Sequence, residues 1–213
     1  MKYAAVIVAA GSGSRMGLGY NKMLFQLKSG EVILEKTITL FVDDEQCEQV
    51  IVVHSEDDYD AFLPYCQNAK IEMVIGGASR QESVYHGLQK VKSEYVLIHD
   101  GARPWLSKQN VNDLLLMLEK HPACLLMVPV KDTIKVVRDG IVVDTPPRET
   151  LYQAQTPQAF LTSLVISAHE KAISEHVEAT DDAMLVELCT GTNVYMVLGS
   201  YENKKVTTID DVM

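Results

Sequence analysis

YAAVIVAAGSGSRMGLGYNK, residues 3–22, is the stretch that decides the fold class. The apolar run Tyr3 to Val8 reads as a buried strand. It ends in small residues and glycines, which gather several backbone N–H groups in one place, and two cations, Arg15 and Lys22, follow within reach of them. A strand that feeds such a loop makes a phosphate cradle. It is not a Walker A loop, because no Lys-Ser or Lys-Thr pair follows the glycines at the required spacing. Nor is it the dinucleotide fingerprint, since GSGSRM puts Met16 where a third small residue should pack and no acidic ribose ligand is obvious downstream. What remains is a loop that wraps a nucleoside triphosphate with backbone donors while side-chain cations neutralise its phosphates. Standing alone, the same glycines would equally describe an ordinary strand-to-helix turn.

Beyond this start, strand and helix patterns alternate. Candidate strands are Ala4 to Ala9, Val50 to His54, Ile71 to Ile75, Tyr95 to Ile98, Ala123 to Val130 and Val194 to Leu198, all β-branched or continuously apolar. Such runs suit a mainly parallel sheet covered on both faces. Helical patterns lie between them at about 32–41, 57–66, 81–91, 108–120 and 161–175. Ser107 is placed to cap one helix, and Thr180 with Asp181 and Asp182 opens another near Ala183 to Cys189. The expected architecture is a three-layer α/β/α, Rossmann-like fold with ligands at the carboxyl ends of its strands. No linker, repeat or low-complexity tract divides residues 1–213, so one domain is expected. From Lys131 to Thr145 the rhythm changes: DTIKVV and IVVDT flank Arg138-Asp139-Gly140, and Asp-Gly is a strong hairpin signal. This hairpin either edges the main sheet or projects as an arm.

Composition limits the partners. A chain of 213 residues with 47% hydrophobic content can bury a sizeable core. The formal net charge of −10 disfavours nucleic acid, but an acidic protein with a locally basic pocket suits small anionic substrates. Taken singly, Arg15, Arg80, Arg103 and Arg148 would be ordinary surface ion-pairing residues. Cys47, Cys66, Cys124 and Cys189 lack CxxC spacing and read as reduced packing residues. No apolar run reaches membrane-spanning length and no signal peptide precedes the first strand, so a cytoplasmic location without membrane contact is expected.

Six further motifs follow AAGSGSRM in order: GGASRQESV at 76–84, HDGARP at 99–104, PVKDTIK at 129–135, PPRETLYQAQTPQAF at 146–160, ATDDA at 179–183 and NKKVTT at 203–208. With that order and spacing the chain resembles the 2-C-methyl-D-erythritol 4-phosphate cytidylyltransferase family, nucleotidyltransferases of the non-mevalonate isoprenoid pathway. The resemblance covers nearly the whole chain. It implies transfer of a cytidylyl group from CTP to a polyol phosphate, with Mg²⁺ (or Mn²⁺) as cofactor and a homodimer whose β-arm, the hairpin above, reaches the partner subunit.

The same resemblance assigns residues. Arg15, Lys22 and Lys205 are the catalytic cations, the last two stabilising the five-coordinate phosphorus. Lys204 is the nearest competitor of Lys205; strand alternation points the two to opposite sides, and the family pattern Asn-x-Lys selects Lys205. Ala10, Gly11, Gly13, Met16, Gly77, Arg80 and Ser83 hold the nucleotide, Gly76 and Gly77 by close backbone approach and Ser83 from the first turn of a helix. Asp100 holds the metal, and Asp100, Arg103, Thr133, Arg148, Thr156 and Thr180 hold the acceptor, with Thr133 and Arg148 entering from the partner's arm. His99, one residue before Asp100 on a strand, faces the other way and is read as structural.

Three departures from the family pattern stand out. Ala78 follows the two glycines where Asp is frequent, which questions base selectivity. Asn21 precedes Lys22 where Pro is usual, which would loosen the loop, and Pro147 precedes Arg148 where Asp is common. The chain also stops at Asp210-Asp211-Val212-Met213 as a helix begins, short for the family. Rival readings are a ribitol-5-phosphate cytidylyltransferase, which typically has AGG and HDxVRP in place of AAG and HDGARP; a sugar-nucleotide or molybdopterin nucleotidylyltransferase, which lacks the DTIK and QTPQAF segments; and a non-catalytic nucleotide-binding subunit, which would have lost the phosphate-handling cations.

Overall fold

The computed structural model describes residues 1–11 and 19–212. Nine strands are found among them: β1 (Tyr3–Val8), β2 (Cys47–His54), β3 (Ile71–Ile75), β4 (Tyr95–Asp100), β5 (Ala123–Pro129), β6 (Val136–Arg138), β7 (Ile141–Asp144), β8 (Tyr152–Leu161) and β9 (Tyr195–Leu198). The helices are α1 (Ile33–Val42), α2 (Tyr59–Phe62), α3 (Arg80–Leu88), α4 (Lys108–Leu118), α5 (Thr162–Glu175) and α6 (Asp182–Thr190). Seven strands form one sheet in the order β3-β2-β1-β4-β8-β5-β9, parallel except for β8.

The alternation of strand side chains builds the layers. On one face Ile7, Val52 and Leu97 meet Leu34, Ile38 and Phe41 of α1 and Leu114 and Leu118 of α4. On the other, Val6, Ile51 and Ile98 meet Val84 and Leu88 of α3, Val165 and Ala168 of α5 and Val186 of α6. Ser79, Ser107 and Asp181 each accept a backbone N–H as caps of α3, α4 and α6. Because β1 has β2 on one side and β4 on the other, the chain diverges at their carboxyl ends, where Val8 pairs with Asp100. A crevice for ligand is expected at such a divergence.

One expectation needs correction, and one strand was not expected. The helix expected over 57–66 is one short α turn between 3-10 segments at 56–58 and 63–65. Pro64 has no N–H to continue an α ladder there. The segment 152–161 is an interior strand, bonded to both β4 and β5. Its signal was hidden by Pro157, which cannot donate to a ladder. The structure accommodates this with a bulge: Met127 faces Ala154 and Leu125 faces Gln158, so residues 155–157 stand opposite Leu126 alone.

The hairpin is a separate two-stranded sheet, β6 with β7, rather than an edge of the main one. Asp139 and Gly140 both take positive φ, 50° and 78°, as a tight primed turn requires. Val137, Ile141, Val142 and Val143 are all more than half exposed on this arm.

Candidate functional site

A cavity of about 410 Å³ opens at the carboxyl ends of β1 and β4. Ala10 and Gly11 line it from the end of β1, Gly77, Arg80 and Ser83 from the start of α3, and Asp100 from the end of β4. Lys22 and Lys205 complete its walls from segments far apart in sequence. Among these lining residues three cations, Lys22, Arg80 and Lys205, face one carboxylate, so the site is positive within an acidic protein. Such a pocket concentrates small anions.

The glycines are there for close approach. A Cβ on Gly76 would lie 2.8 Å from Ser83 Oγ and 2.9 Å from the Ala10 Cβ, and one on Gly77 would collide with the Glu82 side chain. The Gly77 N–H donates to Ser83 Oγ at 3.0 Å, and the Ala78 N–H to a Glu82 carboxylate oxygen at 2.8 Å. Ala78 therefore contributes its backbone to the loop, and the cap of α3 holds the segment against the end of β1.

Asp100 is the electrostatic centre. Its carboxylate accepts from Lys205 Nζ at 2.8 Å and lies 3.7 Å from both Arg80 Nε and Arg103 Nε. Burial alone would push this carboxyl up, but Lys205, Arg80 and Arg103 outweigh it and hold the group well below the usual carboxylate range. Asp100 is thus an anion throughout the working pH range. Lys22 Nζ donates to the Val206 carbonyl at 2.8 Å, and the Val206 N–H donates to the Ala102 carbonyl at 2.8 Å. These bonds tie the Lys205 segment to the loop after β1 and the turn after β4. Lys204 instead lies over the Trp105 ring, 5.1 Å from its centroid. Of the two neighbours, Lys205 lines the cavity and Lys204 does not.

The bulge in β8 explains how Asp100 is held. Thr156 Oγ1 accepts the Asp100 N–H at 2.9 Å and donates to His99 Nδ1 at 3.1 Å, while His99 Nε2 donates to the Arg103 carbonyl at 3.1 Å. A carbonyl only accepts, which fixes the tautomer. Burial pushes His99 down to about 4, so the imidazole is neutral, a structural residue as read. The Thr156 hydroxyl is engaged in both directions; it braces the Asp100 backbone and does not line the cavity, unlike the expected acceptor contact. Asn21 also differs from expectation. It caps the turn at Lys22–Leu24, and its Nδ2 donates to Asp58 at 2.7 Å, so it fastens the loop end that it was expected to loosen.

Arg103 donates from Nη1 to the Asn203 carbonyl at 2.8 Å beside Asp100. Thr133 and Arg148 lie exposed on the arm segment, where Arg148 Nη1 bonds the Lys131 carbonyl at 3.0 Å, and Thr180 is exposed with its hydroxyl on Met184 Sδ. None of these three lines the cavity of its own chain. Gly13, Arg15 and Met16 lie outside the described residues. Residues that the sequence reading gave no site role also emerge. Asn203, fully buried, donates from Nδ2 to the Thr156 carbonyl at 2.8 Å, and Asp182 with His169 stands behind Arg80. Only the Asn-x-Lys and Thr-Asp-Asp patterns hinted at them.

The described residues hold no cluster of three or more His, Cys, Asp or Glu able to cage a metal. Mg²⁺ does not need one, because it takes one or two carboxylates and completes its shell with water and substrate phosphates. Asp100 at the cavity wall fits that pattern as a single protein ligand for a metal that arrives with a triphosphate.

Comparison with known proteins gives a consistent result. Residues 3–213 match the family model described as IspD, 2-C-methyl-D-erythritol 4-phosphate cytidylyltransferase. Curated relatives of that name include one from Clostridioides difficile, 41% identical over 99% of this chain and 90% of its own, and one from Bacillus mycoides, 44% identical over 99% and 95%. A crystal structure of a 4-diphosphocytidyl-2C-methyl-D-erythritol synthase from Anaerococcus prevotii superposes with a TM-score of 0.88 at 32% identity, covering 99% of this chain and 94% of that one.

Proposed function

We propose, from the premise that this chain belongs to the 2-C-methyl-D-erythritol 4-phosphate cytidylyltransferase family, that its reaction runs in the cavity between the ends of β1 and β4. The protein is a nucleotidyltransferase. It transfers the cytidylyl group of CTP to 2-C-methyl-D-erythritol 4-phosphate, giving 4-diphosphocytidyl-2-C-methyl-D-erythritol and pyrophosphate, in isoprenoid precursor synthesis. The observation that carries the siting is the convergence of Lys22, Arg80, Asp100 and Lys205 from four distant segments on one glycine-walled cavity.

In this reaction an acceptor phosphate oxygen bonds to the α-phosphorus of CTP, and the bond from that phosphorus to the bridging oxygen breaks to release pyrophosphate. The nucleophile is already ionised, so no protein base is required. The chain's work is positioning and charge stabilisation. Ala10, Gly11 and Gly77 admit the nucleotide against bare backbone, Ser83 and Arg80 orient it, and Lys22 and Lys205 oppose the negative charge that grows at the five-coordinate phosphorus. Arg15 neutralises triphosphate oxygens, with Gly13 and Met16 in the same loop. Arg103 and Thr180 serve the acceptor, joined by Thr133 and Arg148 from the arm of a second subunit, which makes the working unit a homodimer. Thr156 acts through Asp100. Asp100 would hold Mg²⁺, or Mn²⁺, whose positive charge would offset the repulsion among the phosphates. A cytoplasmic location for a single-domain enzyme completes the reading; among the described residues no helix is long and apolar enough to cross a membrane.

Pyrophosphate release with CTP, offered methylerythritol phosphate, ribitol phosphate and sugar phosphates in parallel, tests the assignment. Turnover with methylerythritol phosphate is expected; turnover with ribitol phosphate alone would replace it, and CTP binding without any turnover would mean a nucleotide-binding subunit. The metal reading has its own test. Activity should vanish in chelator and return with Mg²⁺, whereas Asp100→Asn should need at least about tenfold more Mg²⁺ for half-recovery. An Asp100→Asn enzyme with the wild-type Mg²⁺ response would show that the ligand lies elsewhere.

A further inference from the structure

We propose that Asp182, backed by His169, is a positioning residue for the nucleotide, holding the Arg80 guanidinium at the cavity wall from behind. Arg80 has two carboxylates at its planar head: Nε lies 3.7 Å from Asp100, and Nη2 donates to Asp182 Oδ2 at 2.9 Å. Asp182 itself is fully buried and does not touch the cavity. Its other oxygen, Oδ1, accepts from His169 Nε2 at 3.2 Å. His169 is also fully buried, stacks on Tyr85 with centroids 6.0 Å apart, and has no partner for Nδ1 among the described residues. The chain of contacts therefore runs from buried His169 through Asp182 to one guanidinium at the site.

A buried carboxylate is costly unless each oxygen is compensated. Here one oxygen is satisfied by an imidazole that faces only core, and the other by a cation whose far edge reaches ligand space. Burial pushes the Asp182 carboxyl up, but Arg80 and His169 prevail and hold it below its ordinary value, so it faces Arg80 as an anion. An arginine on its own samples many rotamers, and fixing it before ligand arrives removes that entropy from the cost of binding. The planar fork lets it keep Asp182 through one nitrogen while the rest of the head stays at the cavity wall. Secondary structure reinforces the geometry. Arg80 is the first residue of α3 and Asp182 the first of α6, and Gln81 locks the two by donating to the Val177 carbonyl at 3.1 Å and accepting the Ala179 N–H at 3.2 Å.

The inference rests on the reading of Arg80 as a nucleotide ligand, and a double-mutant cycle separates the two. CTP affinity is measured by calorimetry without acceptor, alongside KM, kcat and Tm. Arg80→Ala is expected to weaken CTP binding; if it does not, the reading of Arg80 falls. Asp182→Asn keeps the shape and can still bond both neighbours, so it is expected to fold and to raise the CTP Kd and KM by about tenfold while kcat changes by less than about threefold. In the Arg80→Ala background the same change should add nothing. An Asp182→Asn enzyme with normal CTP affinity beside a weakened Arg80→Ala, or effects that multiply in the double variant, would overturn the positioning role. Should Asp182→Asn not fold, His169→Gln replaces it: a rise of about threefold in the CTP Kd, absent in the Arg80→Ala background, is expected. Unchanged CTP affinity in folded His169→Gln would then overturn the proposal.

Discussion

Lys205→Ala is expected to lower kcat by on the order of a hundredfold or more, about 2.7 kcal/mol of transition-state stabilisation, with folding intact. The reasoning begins with charge. Attack on the α-phosphorus brings an anionic oxygen to a centre already surrounded by anions, and negative charge grows there as the reaction proceeds. Lys205 Nζ stands at the cavity, 2.8 Å from Asp100, on a segment tied back to Ala102 and Lys22 by hydrogen bonds. Its ammonium is therefore aimed before substrate binds, and a cation so placed contributes most where charge is greatest, in the transition state. The loss should fall on kcat, with KM for CTP little changed. Lys204→Ala is the internal control, because that ammonium lies over Trp105 and should matter by less than about threefold. A Lys205 variant altered only in KM, or a Lys204 variant as damaged as Lys205, would exclude the assignment. Lys22→Ala should match the loss, but it is a less clean test: Lys22 Nζ also bonds the Val206 carbonyl, so the variant removes both a charge and a tether.

The pattern Asn-x-Lys distinguishes Lys205 from its neighbour in sequence, and Lys205 is the one of the two that lines the cavity. The sheet was legible for a simpler reason: runs such as AAVIV and VLI are buried on both faces and need no partner information to be read as parallel strands. What escaped were features whose cause lies elsewhere in the chain. YQAQTPQAF contains a proline and three glutamines' worth of polarity, and only the bulge opposite Leu126 makes it an interior strand. Thr156 reads as a hydroxyl for substrate until His99 and the Asp100 N–H are seen to claim it. The second Asp of ATDDA reads as a helix opener, and it is one, yet its buried contact with Arg80, a hundred and two positions away in sequence, gives it another role. Local chemistry is written in local sequence; pairing of buried charges is written in the topology.

Mixing two inactive homodimers is expected to restore activity. Thr133 and Arg148 do not line their own cavity, and the arm near them exposes Val137, Ile141, Val142 and Val143, all more than half accessible in the isolated chain. An apolar hairpin of this kind needs a covering surface. If it crosses to a second subunit, each site combines Lys22 of one chain with Arg148 of the other, as a two-fold arrangement requires. Lys22→Ala and Arg148→Ala homodimers should then both be nearly inactive. Co-refolded in equal amounts they form about half mixed dimers, and each mixed dimer holds one doubly broken site and one intact site, so activity should recover to about a quarter of wild type. Were both residues to serve the same subunit's cavity, every site would lack one of them and the mixture would stay inactive. Mixed dimers shown to be present, by mass or by affinity tags, without recovery would sink the crossing of Arg148. Recovery with the arm shortened between Val136 and Asp144 should fail, because without β6 and β7 the chain has no hairpin with which to hold Arg148 across the interface.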